Sequence, residues 1–290
     1  MKPFLLFMHR MLAPAICLLL LNRVSGQSAI TPFVLGQIHE IRSEVLNETR
    51  ILNIYLPEGY KASDTVRYPV VYLLDGGADE DFIHVVGLYQ FNNFPWIQRV
   101  PPSIVVGIAN IDRKRDFTFP ATHTNEQQRF PTSGHSNQFR KFLSEELQPY
   151  IRKQFRTNAD QTLIGQSLAG LFACETVLKQ PELFNRYIII SPSLWWDDGS
   201  LLKAAPELLN AHPSAHAAIY LGVGKEGLAP CDAPHVMEVD ANLLAETIRS
   251  ARGASNRLIF DYLPDENHAT ITHQAVFNAL RSLFPVPLNK

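Results

Sequence analysis

The sequence predicts an α/β fold in which a mostly parallel central sheet is entered through an antiparallel hairpin and covered by helices on both faces. Three observations carry this. Short runs at residues 68–74, 103–108, 162–164, 187–190, 218–223 and 258–263 are almost wholly apolar, as strands buried on both faces require. Helix-like stretches separate them: residues 138–155 place Phe139, Phe142, Leu143, Leu147, Tyr150 and Ile151 at helical spacing, and residues 240–252 and 270–284 do likewise. Ahead of both, residues 39–46 and 50–56 read as a hairpin around Asn47-Glu48, because Leu52, Ile54 and Leu56 alternate with Ile51, Asn53 and Tyr55. Strand alternating with helix then gives a doubly wound arrangement.

Pro149 predicts a kink in the first of these helices, since proline donates no backbone hydrogen bond and its ring clashes with the preceding turn. Residues 112–131 read as the one long irregular stretch. Asn47-Glu48-Thr49 matches a glycosylation triplet, but so short a pattern recurs by chance and reads as turn chemistry.

The N-terminus stands apart from the fold. Lys2, His9 and Arg10 precede an apolar run at residues 11–21, and Val24-Ser25-Gly26 provides tolerated residues ahead of a cut at Gln27. This is the pattern of a secretory signal peptide, and the run is shorter than the roughly 20 residues that a bilayer span needs. Ile16 ahead of Cys17 does not suit lipid attachment. The expectation is a signal over residues 1–26, one domain over residues 27–290, and no membrane span once the signal is removed.

The chain has 290 residues, 46% of them hydrophobic and 19% charged, and a net charge of −2. That length suffices for one sizeable core. The balanced charge, with no basic block, excludes counterion-driven binding to nucleic acid or an anionic membrane. Beyond the signal only Cys174 and Cys231 remain; two cysteines define no disulfide framework, and Cys174 reads as an inert core residue of an apolar helix. His212 and His216 have the spacing of metal ligands, but Pro213 between them and the lack of a third ligand argue against a metal.

The chemistry concentrates at Gly165-Gln166-Ser167-Leu168-Ala169-Gly170, where a strand gives way to a helix. A serine on so tight a turn needs small residues two before and two after it, which Gly165 and Ala169 provide; this is a nucleophile elbow. An ordinary strand-to-helix loop with Ser167 as helix N-cap is the competing reading. Partners for a nucleophile follow other strands in the order acid, then base. Glu226 follows the strand at 218–223, with Asp232, Glu238 and Asp240 as rivals, the last two resembling first-turn charges that oppose a helix dipole. His268 follows the strand at 258–263 and is preferred to His273, which lies inside the next helix. A serine hydroxyl becomes a useful nucleophile only when a histidine takes its proton and an acid holds that histidine. An oxyanion further needs backbone N–H donors; Leu168 and Gly77, the latter in Leu73-Leu74-Asp75-Gly76-Gly77, are the candidates. All four loops meet at the carboxyl ends of parallel strands, where open α/β sheets place their sites.

The elbow, Leu73-Leu74-Asp75-Gly76, Asp112-Arg113-Lys114-Arg115-Asp116, the helix at 142–155 and Ser191-Pro192-Ser193-Leu194-Trp195-Trp196 together give a resemblance over nearly the whole mature chain. It resembles the esterase family of α/β hydrolases that includes ferric-siderophore esterases, with S-formylglutathione hydrolases, feruloyl esterases and mycolyltransferases as more distant relatives. The resemblance implies the α/β-hydrolase fold, a Ser-acid-His hydrolase without metal or cofactor, and a periplasmic location. Some siderophore esterases are similar but have a weakened or missing acid. Arg113 and Arg115 present guanidinium donors suited to carbonyl or catecholate oxygens, against a structural ion pair with Asp112 or Asp116. Trp195 and Trp196 suit an aromatic pocket wall, or equally the core under the sheet edge.

The expected function is hydrolysis of a small-molecule carboxylic ester through an acyl-enzyme, with siderophore ester or lactone bonds as the implied target. An acyltransferase using the same triad, and a non-catalytic binding protein on the same fold, are the alternatives.

Overall fold

A computed structural model describes residues 30–214, 216–252 and 257–284; the expected signal lies outside them. The chain divides into residues 1–34 and 35–290, and residues 30–34 carry no regular structure. Among the described residues no helix is long and apolar enough to cross a membrane.

The second unit holds one eight-stranded sheet. Its strands are β1 (Gln37–Ser43), β2 (Glu48–Tyr55), β3 (Tyr68–Leu73), β4 (Ile104–Ile108), β5 (Thr157–Gln166), β6 (Arg186–Ile190), β7 (Ala218–Gly224) and β8 (Leu258–Leu263), in the order β1-β2-β4-β3-β5-β6-β7-β8. β1 pairs antiparallel with β2 and β2 with β4; every other neighbour is parallel. The helices are α1 (Phe82–Asn93), α2 (Arg113–Phe117), α3 (Thr124–Arg129), α4 (Ser136–Lys141), α5 (Gln148–Gln154), α6 (Leu168–Lys179), α7 (Trp196–Ala211), α8 (Met237–Arg252) and α9 (Ile271–Leu283).

Alternate side chains of the parallel strands feed two separate cores, as the two-residue repeat of a strand dictates. Along β3, Val70 and Tyr72 join the cluster containing Phe139, Phe142, Phe172 and Leu244, while Val71 and Leu73 join Phe82, Val86 and the α9 residues Ala275 and Val276. α4 to α8 thus cover one face, and α1 and α9 the other. Each fully buried Leu, Ile or Phe contributes about 1.5–3 kcal/mol, so both layers are needed to hold the sheet flat against its helices.

Several elements differ from the sequence reading. β5 starts at Thr157, well before the expected run at 162–164, because its first half, including Asn158 and Asp160, is polar. The stretch 112–131 contains α2 and α3, which at five and six residues are too short to show a period. α1 and α7 escaped notice because neither has a narrow apolar stripe: Val85 and Val86 of α1 are buried while Ile83 and Phe91 are exposed, and α7 turns left-handed at Asp197, Asp198 and Gly199. At Pro149 the helix responds with a π turn over Phe142–Leu147, a widening that moves carbonyls away from the ring.

A buried ionic group ties the hairpin to α2. Arg50 is 0% exposed, and its Nη1 donates to Asp116 at 2.7 Å and to Glu48 at 2.8 Å. Arg115 closes the square, to Asp116 at 2.8 Å and to Glu48 at 2.6 Å, and the Arg50 guanidinium lies over the rings of Phe139 and Phe142. Burial pushes the Glu48 carboxyl up, but hydrogen bonds from Arg115 and Arg50 outweigh this and hold it below the usual range. Removing Asp116 leaves two arginines sharing the single carboxylate of Glu48, with Arg50 fully buried. Asp116→Asn is therefore expected to lower unfolding free energy by about 3 kcal/mol; urea unfolding with an unchanged midpoint would refute the argument.

Candidate active site

The elbow follows from where β5 ends. Ser167 adopts φ 62 and ψ −120, a backbone region that a side-chain-bearing residue occupies only when its surroundings over-determine it. Ser167 N–H donates to Ile190 O at 3.0 Å, while its carbonyl accepts from Leu171 at 2.9 Å and Ser193 at 3.0 Å. Small neighbours are compulsory: a Cβ on Gly165 would lie 2.5 Å from Ala169 O, and one on Gly170 2.8 Å from Ile190 O. Although Ser167 occupies the N-cap position of α6, its side chain makes no capping bond. Its Oγ lies 3.0 Å from His268 Nε2 and 3.4 Å from Ser193 Oγ.

His268 sits on the loop after β8, where Gln166 Nε2 donates to the His268 carbonyl at 2.5 Å. Its Nδ1 lies 2.6 Å from Glu226 Oε2. The loops carrying acid and base are themselves joined, Lys225 N–H donating to Glu266 O at 2.8 Å. The Glu226 side chain is only 3% exposed, so it is not one half of a solvated pair with Lys225. Its Oε1 accepts from the Ser191 hydroxyl and from Gly224 N–H. Burial alone raises the carboxyl's pKa, yet the hydrogen bonds from His268 and Ser191 and the attraction of His268 prevail and hold it below the ordinary glutamate range. An acid ionised at neutral pH is what a histidine needs if its Nδ1 is to keep the proton and leave Nε2 as acceptor.

The rivals are engaged elsewhere. His273 is exposed on α9 with its ring against His84. Asp232 accepts from Asn125 at 3.0 Å, Glu238 from Gly227 N–H at 2.9 Å, and Asp240 lies 2.8 Å from His235 Nδ1.

Of the two oxyanion candidates, Leu168 opens α6, where the first N–H groups have no acceptor within the helix. Gly77 N–H is expected to be open to an oxyanion but instead donates to Glu80 Oε2 at 2.7 Å. Glu80 Oε1 in turn accepts from Asn110 at 2.6 Å. A carboxylate oxygen thus sits on the donor, a contact that three residues of sequence spacing could not disclose.

Both arginines are engaged in ion pairs. Arg113 pairs with Asp75 rather than with Asp112 or Asp116, its Nε 2.7 Å from Oδ1, and Arg115 belongs to the buried square with Glu48 and Asp116. Trp196 is 1% exposed and donates Nε1–H to Phe119 O at 3.0 Å, which makes it core and not a substrate wall. Trp195 does line a cavity of about 350 Å³, together with His123, Glu126, Arg129, Phe130 and Asp232. Asp197 holds one wall of this cavity, accepting from Thr122 N–H at 2.6 Å and Thr122 Oγ at 2.9 Å. Cys174 and Cys231 are unpaired; burial pushes the Cys174 thiol up and keeps it unreactive. Among the described residues no three His, Cys, Asp or Glu side chains are grouped to hold a metal, and His212 merely follows the last residue of α7.

Ser191, Ser193, Gln166 and Asp75 enter the site without having been singled out by sequence reasoning. The signal for the first two was the Ser-Pro-Ser segment itself. Ser191 has φ 41, and its hydroxyl donates to Glu226, while Ser193 Oγ lies 3.4 Å from Ser167 Oγ.

An imidazole hydrogen-bonded at one nitrogen to a hydroxyl and at the other to a carboxylate can carry a proton from nucleophile to leaving group. The chain is similar to several known proteins. An IroE-like serine hydrolase from Shewanella oneidensis superposes with a TM-score of 0.76 at 31% identity, over 86% of this chain and 80% of that one. The BES protein from Bacillus cereus gives 0.74 at 28% identity, over 91% of this chain and 99% of that one. The ferri-bacillibactin esterase BesA of Bacillus subtilis (strain 168) is 30% identical over 174 residues, 54% of this chain and 58% of that protein, so the match spans little more than half of that relative's length. The family described as Putative esterase matches residues 43–263; with most of the 290 residues inside that match, the chain belongs to the Putative esterase family.

Proposed function

We propose that this chain is a serine ester hydrolase that works through an acyl-enzyme, with siderophore ester or lactone bonds as its substrates. The observation that carries the reading is the unbroken series Ser167 Oγ, His268 Nε2 at 3.0 Å, His268 Nδ1, Glu226 Oε2 at 2.6 Å, built on a serine held at φ 62.

In this reading Ser167 Oγ attacks the ester carbonyl carbon while His268 Nε2 takes its proton. The electron pair moves to the carbonyl oxygen, which the Leu168 N–H meets, joined by Gly77 N–H once Glu80 has released it. The intermediate collapses, the C–O bond to the alcohol breaks, and His268 returns the proton to the departing alkoxide. Water then attacks the acyl-serine with His268 again as base. Glu226, kept ionised, stabilises the imidazolium in both halves. The His268 side chain is 45% exposed, so water reaches the base; this favours hydrolysis over transfer to an acceptor alcohol.

The siderophore assignment is supported by the ferri-bacillibactin esterase among the relatives. The basic and apolar start of the sequence supports export, with the periplasm as the place of action.

Three outcomes are expected. Ser167→Ala lowers kcat on a short p-nitrophenyl ester on the order of 10⁴-fold or more; equal rates in the two proteins would remove Ser167 from the mechanism. Wild type also opens a ferric catecholate trilactone, seen as linear product by chromatography, and inertness there alongside cleavage of the simple ester would confine the reading to a general esterase. Glu226→Gln destabilises the protein at neutral pH. Because the folded-state pKa of Glu226 is depressed, its stabilising contribution is full above the unfolded-state value and disappears as pH falls through the folded one. The gap in thermal midpoint between wild type and Glu226→Gln should therefore close on acidification, and a gap that widened would contradict the sign.

A further inference from the structure

Arg113 lies outside the Ser-His-Glu series, and its hydrogen bonds run to two different loops. Nε donates to Asp75 Oδ1 at 2.7 Å, and Nη2 donates to Asp75 Oδ2 at 3.1 Å and to Gln166 O at 3.1 Å. Asp75 lies just past β3, and Gln166 is the last residue of the adjacent β5. Each stands two residues before one of the oxyanion candidates, Asp75 before Gly77 and Gln166 before Leu168.

One attachment point is strained and the other adjoins a strained residue. Asp75 has φ 50 although it is not glycine, and its carboxylate is fixed from the other side by Asn110 Nδ2 at 2.6 Å. Gln166 precedes Ser167, itself at φ 62. A planar guanidinium with donors in a rigid fork spans such a pair; an ammonium, as a point charge, cannot make the same three bonds.

We propose that Arg113 is a positioning residue that clamps the loop after β3 to the nucleophile elbow and so sets the separation of the two oxyanion donors. The inference rests on the serine-esterase reading above. Oxyanion donors act within a few tenths of an ångström of their ideal distance, and a misplacement of about 1 Å costs on the order of 100-fold in rate. With a side chain 34% exposed, Arg113 adds only modestly to stability. Its loss should therefore appear in turnover before it appears in unfolding.

The test uses Arg113→Lys, Arg113→Met, Asp75→Asn and the Asp75→Asn/Arg113→Met double variant, with Ser167→Ala as reference. Rates on a p-nitrophenyl ester are normalised to sites titrated with a fluorophosphonate, so a misfolded fraction does not count. The clamp predicts that each single variant loses about 10- to 100-fold in kcat while KM stays within about threefold. An aryl boronic acid, which becomes tetrahedral on the serine, should bind more weakly by the same factor. The double variant should be no slower than the worse single one, as expected of two residues acting through one contact. Unchanged kcat per titrated site, a rise in KM at constant kcat, or fully additive losses would each overturn the clamp. If Ser167→Ala is inactive and the Arg113 variants are normal, the clamp alone falls; if Ser167→Ala keeps wild-type rates, the serine reading falls and takes the clamp with it.

Discussion

The site depends on one strained residue. Ser167 is held at φ 62 and ψ −120 because the chain must leave β5 and enter α6 within a single residue. Two backbone hydrogen bonds fasten that turn to its neighbours, one to the end of β6 and one from Ser193. The strain is sustainable only because Gly165 and Gly170 have no Cβ where backbone atoms stand under 3 Å away. It leaves the hydroxyl pointing off the sheet edge, away from capping α6 and toward the imidazole.

The parallel sheet supplies the rest. β3, β5, β6, β7 and β8 lie side by side in that order, so the residues just past their carboxyl ends stand next to one another whatever their separation in sequence. Gly77, Ser167, Ser191, Glu226 and His268 arrive one from each strand. The loops are then tied crosswise, Gln166 to His268, Lys225 to Glu266 and Ser191 to Glu226. A preorganised group of polar side chains needs such ties, since a series of hydrogen bonds is only as rigid as the backbones that carry it.

The legible parts were those governed by local rules. β3, β4, β6 and β7 are almost wholly apolar on both faces and β8 is largely apolar despite Asp261, so all are legible, as is the elbow, whose small residues are a steric necessity. Glu226 and His268 were readable because each follows a strand at short distance. The rest was written in tertiary contacts. The polar first half of β5 and the apolar-all-round α1 break the expected periods. Arg113 offers the same side chain to a ligand or to a carboxylate, and only the fold brings Asp75 within 2.7 Å. Trp195 and Trp196 are identical in sequence terms, yet one borders a cavity and the other donates to Phe119 O in the core. Glu80 lies too close in sequence to Gly77 to look like anything but loop charge.

The cavity beside Trp195 is walled by α3 and by the segment around Cys231 and Asp232, and neither carries nucleophile, acid or base. Those two walls meet through Asn125 to Asp232 and Arg129 to Pro230 O, polar contacts at the surface that contribute little to holding the sheet together. The walls of this cavity and the loops that carry Ser167, Glu226 and His268 are thus separable parts of the chain. Side chains along those walls can therefore change without disturbing the hydrogen-bonded series of Ser167, His268 and Glu226.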